Sequence, residues 1–128
     1  MARAVLDASA VMALLLDEPG ADLVAGFAGD ALISTINLQE VIKTLLQRGN
    51  SETVVRAMLD SLGVEPRPHS VDEAWSAARL ADQTKTKGCG IGDRSCMALA
   101  IAEGLPAITA DKIWAELTIP GLTVVLAR

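Results

Sequence analysis

The sequence is poor in aromatic residues, with one phenylalanine, two tryptophans and no tyrosine. Because 51% of the residues are hydrophobic, the core must be mainly aliphatic, built from alanine, leucine and valine. Recognition of single-stranded nucleic acid by base stacking depends on aromatic side chains, so we expect stacking to contribute little here. The 128 residues suffice for one domain with a substantial core, and no repeat or linker divides residues 1–128.

Cysteine and histidine are also scarce, which excludes several kinds of site. The spacing of Cys89 and Cys96 matches no common zinc motif, and only His69 could add an imidazole. We interpret the thiols as one in a loop and one in a buried helix, without a disulfide scaffold. His69 lies between Pro68 and Ser70 in a predicted loop, where a surface role is favoured over a catalytic one.

Long apolar runs and an excess of positive charge are absent as well. No stretch reaches the roughly 18 apolar residues of a membrane span, and the start MARAVLD lacks the zones of a signal peptide. We therefore expect a cytoplasmic protein without membrane association. The net charge is −5, from 16 acidic and 11 basic residues. This balance argues against a general nucleic-acid coating surface but does not exclude a nuclease.

Strand and helix patterns alternate along the chain. The pattern predicts a strand at residues 3–7, followed by a helix with Ser9 as its N-cap. One continuous helix is predicted over residues 71–85, and Asp93 is predicted to open a buried helix that Gly104 ends. Further helices are predicted at 21–28, 36–48, 52–62 and 111–117, and strands at 31–35, 106–109, 122–127 and, briefly, within 64–70. This alternation is typical of an α/β sandwich with a largely parallel sheet.

Four carboxylates stand out from this pattern. Asp7 and Asp111 follow predicted strands, Asp93 begins the buried helix, and Glu40 lies on the polar side of an amphipathic helix. In such sheets, ligands bind beyond the carboxyl ends of the strands. Four acids gathered there would repel one another strongly unless a divalent metal neutralised them. The combination points to metal-dependent phosphodiester chemistry.

Small polar side chains accompany these acids. Asn37 and Thr44 share the helix face of Glu40, which could look into a cleft. Hydroxyls that could orient the carboxylates lie at Ser9, Ser34, Thr35 and Thr109. Hard oxygen ligands with few histidines suit Mg²⁺ or Mn²⁺ better than zinc.

Each acid taken alone also has an ordinary interpretation. Asp7, Asp93 and Asp111 could simply cap the helices that follow them. Glu40 is in the middle of a helix and could be a solvated surface residue. It is their combination with the predicted strand ends that favours a site.

The chain resembles a PIN domain, and within that family the short VapC-like toxins of bacterial and archaeal toxin–antitoxin pairs. The matching segments are VLDASAVMALLL, STINLQEVIKTL and IGDRSCMALAIAEGLPAITAD, which carry the four acids in order, and the closing strand. Their order and spacing agree over essentially the whole chain. One departure is Arg94, which stands where the family usually has a small residue.

This resemblance implies a three-layer α/β/α sandwich with a mainly parallel central sheet. It also implies an endoribonuclease with an acidic Mg²⁺ or Mn²⁺ pocket, a homodimer, and inhibition by a small VapB-like antitoxin that inserts into the cleft. In this interpretation Asp7, Asp93 and Asp111 hold one or two metal ions. Glu40 completes the site as a ligand or by orienting the attacking water.

Basic residues close to Asp93 are candidates for RNA contacts. Lys85 and Lys87 belong to a segment rich in glycine and lysine, where they could meet the phosphate backbone or simply be solvated. Arg94 could contact a phosphate or pair with a neighbouring acid. Phosphate contacts give affinity but carry little sequence information.

Four other functions are alternatives to a toxin nuclease. A phosphoacceptor receiver domain needs adjacent acids after its first strand and a lysine after its last, and a haloacid-dehalogenase-type phosphatase needs Asp-x-Asp. VLDASA has one acid, with Ser9 at the third position of that motif, and LTVVLAR has no lysine. A non-catalytic binding module, in which the acids only cap helices, would gain no stability from Mn²⁺. A PIN domain that processes RNA without being a toxin would show the same motifs.

Three consecutive leucines, Leu14 to Leu16, cannot all face the core of a small domain. Exposed apolar patches of this kind often mark partner contacts. The alternative is that neighbouring helices of the same chain cover them.

Overall fold

Five short parallel strands form the central sheet of the computed structural model, which describes residues 1–128. β1 (Ala4–Leu6) is the central strand, with β2 (Ala31–Ser34) on one side and β4 (Ala107–Thr109) on the other. β3 (Glu65–Arg67) and β5 (Val124–Leu126) form the edges. Every strand pair is parallel, in the order β3-β2-β1-β4-β5. All five carboxyl ends therefore meet at one edge of the sheet.

Helices connect the strands and cover both faces of the sheet. They are α1 (Ala8–Leu15), α2 (Ala21–Ala28), α3 (Thr35–Gln47), α4 (Glu52–Leu62), α5 (Val71–Arg79), α6 (Ala81–Thr84) and α7 (Ile91–Glu103). Two 3-10 helices, Lys85–Lys87 and Lys112–Glu116, precede α7 and follow β4. None of the helices combines the length and the apolar character that a membrane span requires.

The alternation of side chains along each strand divides the core into two clusters. Leu6 and Ile108 belong to a cluster that includes Val41 and Leu45 of α3. Val5, next to Leu6, points to the opposite face, in a cluster with Met97 and Leu99 of α7. Both faces of the sheet are buried at its centre, so β1, β2 and β4 are almost entirely apolar. The edge strand β3, with Glu65 and Arg67, is largely exposed. The prediction of a three-layer α/β/α sandwich is confirmed.

Several predicted helix boundaries are confirmed by their capping groups. Ser51 accepts a hydrogen bond from the Val54 N–H and begins α4. Gly104 ends α7 in the left-handed conformation, with φ of 66°. Such residues act locally, so sequence alone places them well.

Three boundary predictions are wrong. Asp7, not Ser9, caps α1, because its carboxylate accepts the Ala10 N–H while Ser9 is already helical. The helix predicted over 71–85 is broken at Leu80, because α5 ends at Arg79 and α6 begins at Ala81. Asp93 is the third residue of α7 and does not precede it.

The three leucines of α1 and its end do not form an exposed patch. Leu14, Leu15 and Leu16 are all half-buried, and Leu14 and Leu15 pack against the core cluster that contains Leu6. Of the two interpretations, coverage by neighbouring elements of the same chain therefore holds for Leu14 and Leu15.

Candidate active site at the carboxyl edge of the sheet

Asp7 is the most enclosed acid of the chain, with 3% of its surface exposed at the carboxyl end of β1. One of its oxygens, Oδ1, accepts hydrogen bonds from the Ser9 hydroxyl at 2.7 Å and the Ala10 N–H at 2.8 Å. The other, Oδ2, accepts from the Thr109 hydroxyl at 2.5 Å. Thr109 ends β4, the strand next to β1, so the parallel sheet itself brings these two side chains together. Of the four hydroxyls predicted to orient an acid, Ser9 and Thr109 contact Asp7. The other two accept backbone N–H groups instead, Ser34 that of Ile36 and Thr35 that of His69.

Burial raises the pKa of Asp7 from 3.8 to about 6. The three hydrogen bonds favour the charged form and oppose this effect, while the like charge of Asp93 adds to it. The hydrogen bonds therefore offset only part of the cost of burying a carboxylate. A cation at this edge of the sheet would favour the ionised form.

Glu40 is held in place by Asn37, which lies one turn earlier on α3. Asn37 is 1% exposed, and its Nδ2 donates to Glu40 Oε1 and to the Gly92 carbonyl, both at 2.9 Å. The predicted stripe of Asn37, Glu40 and Thr44 does share one side of α3, but Thr44 bonds only the Glu40 carbonyl of its own helix. Asn37 thus links Glu40 to the start of α7, where Asp93 lies.

Gly92 leaves the space that the Glu40 carboxylate occupies. A Cβ atom at this position would lie 2.3 Å from Glu40 Oε1 and 2.7 Å from its Cδ. Any side chain here would therefore displace the Glu40 carboxylate, so this glycine is part of the site.

Asp93 projects from the first turn of α7 and is half-buried. Its Oδ2 accepts the Gly90 N–H at 2.9 Å, which ties the carboxylate to the helix start. Burial raises its pKa and the charge of Asp111 raises it further, while the Gly90 hydrogen bond, Arg94 and Trp114 oppose the shift. The indole N–H of Trp114 is fully buried and has no partner within hydrogen-bonding distance, yet it lies close enough to Asp93 to lower that pKa.

Asp111 lies at the rim, two residues beyond β4, and is exposed. Its Oδ1 accepts the Ile113 N–H at 3.1 Å and so caps the 3-10 helix Lys112–Glu116. Its own N–H donates to the Thr109 hydroxyl at 3.0 Å. Thr109 is therefore a shared contact between Asp7 and the backbone of Asp111.

Electrostatic effects connect the four acids. The charge of Asp93 contributes to the raised pKa of Asp7, and the charge of Asp111 contributes to the raised pKa of Asp93. The fully buried Cys96 thiol on α7 has its pKa raised well above the usual range, first by burial and then by Asp7, Asp93 and Glu40. The four predicted acids thus lie around the same end of the sheet. The three aspartates also serve as caps, so the two interpretations of these residues are compatible.

The predicted RNA-contact residues have different surroundings. Lys85 is exposed in the 3-10 helix before α7 and forms no ion pair. Lys87 pairs with Glu116, with Nζ 3.1 Å from Oε1. Arg94 donates from Nη1 to the Cys89 carbonyl at 2.9 Å, and it forms no ion pair with an acid.

Sequence reasoning missed two residues of this site. In the sequence pattern Gly92 is only one glycine of a segment rich in glycine and lysine, and Trp114 only one of the few aromatics. A glycine directly before the third acid was the available signal for Gly92. No local signal indicated that Trp114, 21 positions after Asp93 along the chain, would face it.

The donor set fits a hard divalent cation. No group of three or more His, Cys, Asp or Glu side chains is arranged to hold a metal ion directly. Mg²⁺ commonly takes only one or two carboxylates and keeps several waters. Asn37 Oδ1 is a buried oxygen without a hydrogen-bond partner, so the site also has unused acceptor capacity. The oxygen donors therefore suit a hard divalent cation.

The raised pKa of Asp7 predicts a pH-dependent effect of Asp7→Asn on stability. Between pH 3.8 and about 6 the folded chain holds a proton that the unfolded chain has lost, so stability falls as the pH rises through this window. At neutral pH the buried charge costs on the order of 3 kcal/mol. Asp7→Asn removes the charge, so its free energy of unfolding should rise relative to wild type from acidic to neutral pH.

The measurement is urea denaturation of wild type and Asp7→Asn at an acidic and at a neutral pH, with EDTA present. It gives the difference in free energy of unfolding between the two proteins at each pH. Asp22→Asn, an exposed acid in the first turn of α2, is the matched control and should show no such trend. A difference between wild type and Asp7→Asn that does not change with pH would contradict the prediction.

Comparisons with known proteins agree on one family. The PIN domain family model matches residues 4–119. No curated protein sequence is significantly similar to the chain.

Solved structures share the fold at low sequence identity. A toxin–antitoxin complex from Klebsiella pneumoniae is 24% identical over 98% of both chains, with a TM-score of 0.77. DNA-bound VapBC from Salmonella typhimurium is 17% identical over 100% of both chains, with a TM-score of 0.75. VapBC2 from Rickettsia felis, bound to a promoter DNA fragment, is 18% identical over 96% of this chain and 97% of that one, with a TM-score of 0.73. These likenesses establish the fold, and the family match extends over most of the sequence. The chain therefore belongs to the PIN domain family, a family of nucleases.

Proposed function

We propose that this protein is a metal-dependent endoribonuclease and the toxin of a VapBC-type toxin–antitoxin pair. The observation that carries the proposal is the gathering of Asp7, Glu40, Asp93 and Asp111 at the carboxyl edge of a PIN-domain sheet. The reaction is hydrolysis of RNA phosphodiester bonds. We place the protein in the cytoplasm, where RNA is available.

Asp7 and Asp93 are the residues best placed to hold Mg²⁺ or Mn²⁺, with Asp111 and Glu40 contributing directly or through water. Such an ion, when bound, lowers the pKa of a water ligand and neutralises charge on phosphate oxygens. The Ser9 and Thr109 hydroxyls keep the Asp7 oxygens in a fixed orientation. Asn37 does the same for Glu40, which orients the attacking water.

The three basic residues near Asp93 differ in how readily they can contact the RNA backbone. Lys85 is exposed and unpaired, so it is the residue of its segment best able to reach a phosphate. Lys87 would first have to leave Glu116, and Arg94 the Cys89 carbonyl. Phosphate contacts of this kind give affinity without sequence discrimination.

An apolar groove between α3 and α4 suits an antitoxin segment. It has a volume of about 670 Å³ and is lined by Leu38, Ile42 and Leu46 of α3 and Val55, Leu59 and Leu62 of α4. Leu46 is 43% exposed, so the chain itself does not cover this surface. The structural likeness to toxin–antitoxin complexes supports an apolar helix of a small VapB-like protein as its occupant. We also propose that the toxin is a homodimer.

Removal of one metal-holding carboxylate tests the nuclease proposal. Asp93→Asn keeps an oxygen that can accept the Gly90 N–H, so α7 should still begin at the same place. The rate of RNA cleavage with Mg²⁺ or Mn²⁺ should fall by more than roughly 10–100-fold. That range is typical when a residue that hydrogen-bonds to a metal ligand is changed, whereas here a ligand itself is changed. Asp22→Asn should cleave like wild type. Full metal-dependent cleavage by Asp93→Asn would refute the proposed site.

Gly92→Ala tests whether the position of Glu40 matters for cleavage. Alanine is the better helix former by up to about 1 kcal/mol, which offsets part of the cost of losing the Asn37–Glu40 hydrogen bond, so the variant should remain folded. Its Cβ displaces the Glu40 carboxylate, so cleavage should fall roughly 10–100-fold. Gly90→Ala is the control, since a Cβ there meets open space. Equal activity in both variants, measured on the same RNA, would contradict a role for Glu40.

A charge in the α3–α4 groove tests the antitoxin contact. The partner is expected from a short reading frame next to this gene, and its affinity can be measured by calorimetry. Leu46→Glu should weaken binding by at least about tenfold, since it places a charge in an apolar contact. Gln47→Glu adds the same charge on the next residue, outside the groove, and should bind normally. Unchanged binding of Leu46→Glu would exclude the groove, while cleavage by the free toxin should be unaffected in both variants.

A further inference from the structure

Trp114 is a fully buried residue whose hydrogen-bond donor the fold leaves unpaired. It lies in the 3-10 helix Lys112–Glu116, which Asp111 caps, and none of its surface is exposed. The indole Nε1–H has no hydrogen-bond partner. Buried donors are rarely left in this state, because water no longer satisfies them. Packing accounts for the burial of the ring but not for the unpaired N–H.

The surroundings of the indole place it beside α7. Trp114 belongs to the core cluster that also contains Cys89, just before α7, and Met97 on α7. Met97 lies four residues after Asp93, so the two side chains share one side of the helix. Burial raises the pKa of Asp93, and Trp114 opposes this shift as a hydrogen-bond donor does. The free N–H therefore faces a carboxylate of the acid site.

The Asp93 carboxylate has an oxygen that can accept this donor. Its Oδ2 accepts the Gly90 N–H at 2.9 Å, whereas Oδ1 accepts no hydrogen bond within the chain. The last torsion of an aspartate side chain is broad, so one hydrogen bond does not fix the plane of the carboxylate. A second donor from Trp114 would fix it.

We propose that Trp114 is a positioning residue, whose indole N–H donates to the Asp93 carboxylate and holds its oxygens toward the cation of the site. The inference rests on the proposed function, in which Asp93 is a metal ligand. Groups that hydrogen-bond to metal ligands orient them, and their loss typically weakens metal binding by roughly 10–100-fold. Trp114 would act on the metal only through Asp93.

Asp7 shows what such support looks like elsewhere in the same site. The hydroxyls of Ser9 and Thr109 donate to its two oxygens, so its carboxylate plane is fixed by the fold. Asp93 has only one donor, from the backbone at the start of its own helix. The indole of Trp114 would give Asp93 the second donor that Asp7 already has.

Nitrogen-15 NMR of the indole N–H groups tests the contact directly. The chain has two tryptophans, and Trp75 is 63% exposed, so Trp75→Phe contains only the indole of Trp114 and assigns its signal. Without metal, Asp93→Asn in this background should move the signal, since a neutral amide accepts more weakly than a carboxylate. Asp22→Asn should leave it in place. Added Mg²⁺ should also move the Trp114 signal, because the cation withdraws charge from the carboxylate.

Metal affinity tests the positioning role. Trp114→Phe keeps an aromatic ring in the core but removes the donor, so its Mn²⁺ dissociation constant should rise by roughly tenfold or more at constant pH. Trp75→Phe makes the same substitution at an exposed position and should bind Mn²⁺ like wild type. Leu99→Val shortens a side chain of the same core cluster without removing a donor, and should also bind normally. Calorimetry gives the constants, and circular dichroism verifies that each variant is folded.

The outcomes separate this proposal from the nuclease proposal. An indole signal that Asp93→Asn leaves unmoved would show that the contact does not exist. Normal Mn²⁺ binding by Trp114→Phe, or an equal loss in folded Leu99→Val, would reduce Trp114 to a packing role while the nuclease proposal stands. A wild-type chain that binds neither ion would refute the metal site and the positioning role together. Mn²⁺ binding that depends on Trp114, in a chain that leaves RNA intact, would keep the positioning role and refute only the nuclease.

Discussion

The site depends on the cost of keeping carboxylates ionised where parallel strands end. Asp7 is almost completely buried, and three hydrogen bonds do not fully offset the loss of water around it. Asp93 and Asp111 add like charges to the same edge of the sheet. A cation bound at this edge would therefore stabilise the ionised carboxylates.

Four elements that are distant in the chain, β1, β4, α3 and α7, maintain the geometry of the acids. The adjacency of β1 and β4 brings Thr109 to Asp7. Asn37 ties the side chain of Glu40 to the backbone at the start of α7, and Gly92 leaves room for that contact. Buried hydrogen bonds of this kind are costly to leave unmade, so they also stabilise the packing of α3 against α7. The positioning of the acids and the stability of the fold therefore rely on the same contacts.

Local signals placed most of the elements but failed where a tertiary contact decided. Ser51 and Gly104 were placed well because capping involves only neighbouring backbone groups. Ser9 was assigned as a cap although its hydroxyl bonds Asp7 and accepts the N–H of Ala110, 101 residues away. The continuous helix predicted over 71–85 breaks at Leu80, which is buried in the core cluster with Val5. In these two cases a contact with a distant element was absent from the local pattern.

The sequence by itself determined the identity and order of the four candidate acids and the alternation that makes a parallel sheet. Strand and helix periods are local properties, and a carboxylate after a buried strand must lie at the carboxyl edge of the sheet. Only the tertiary structure decided that Glu40 reaches Gly92, that Trp114 lies beside Asp93, and that Trp75 remains exposed. Each of these features depends on how different elements of the fold lie against one another, and no pattern within a single element encodes that.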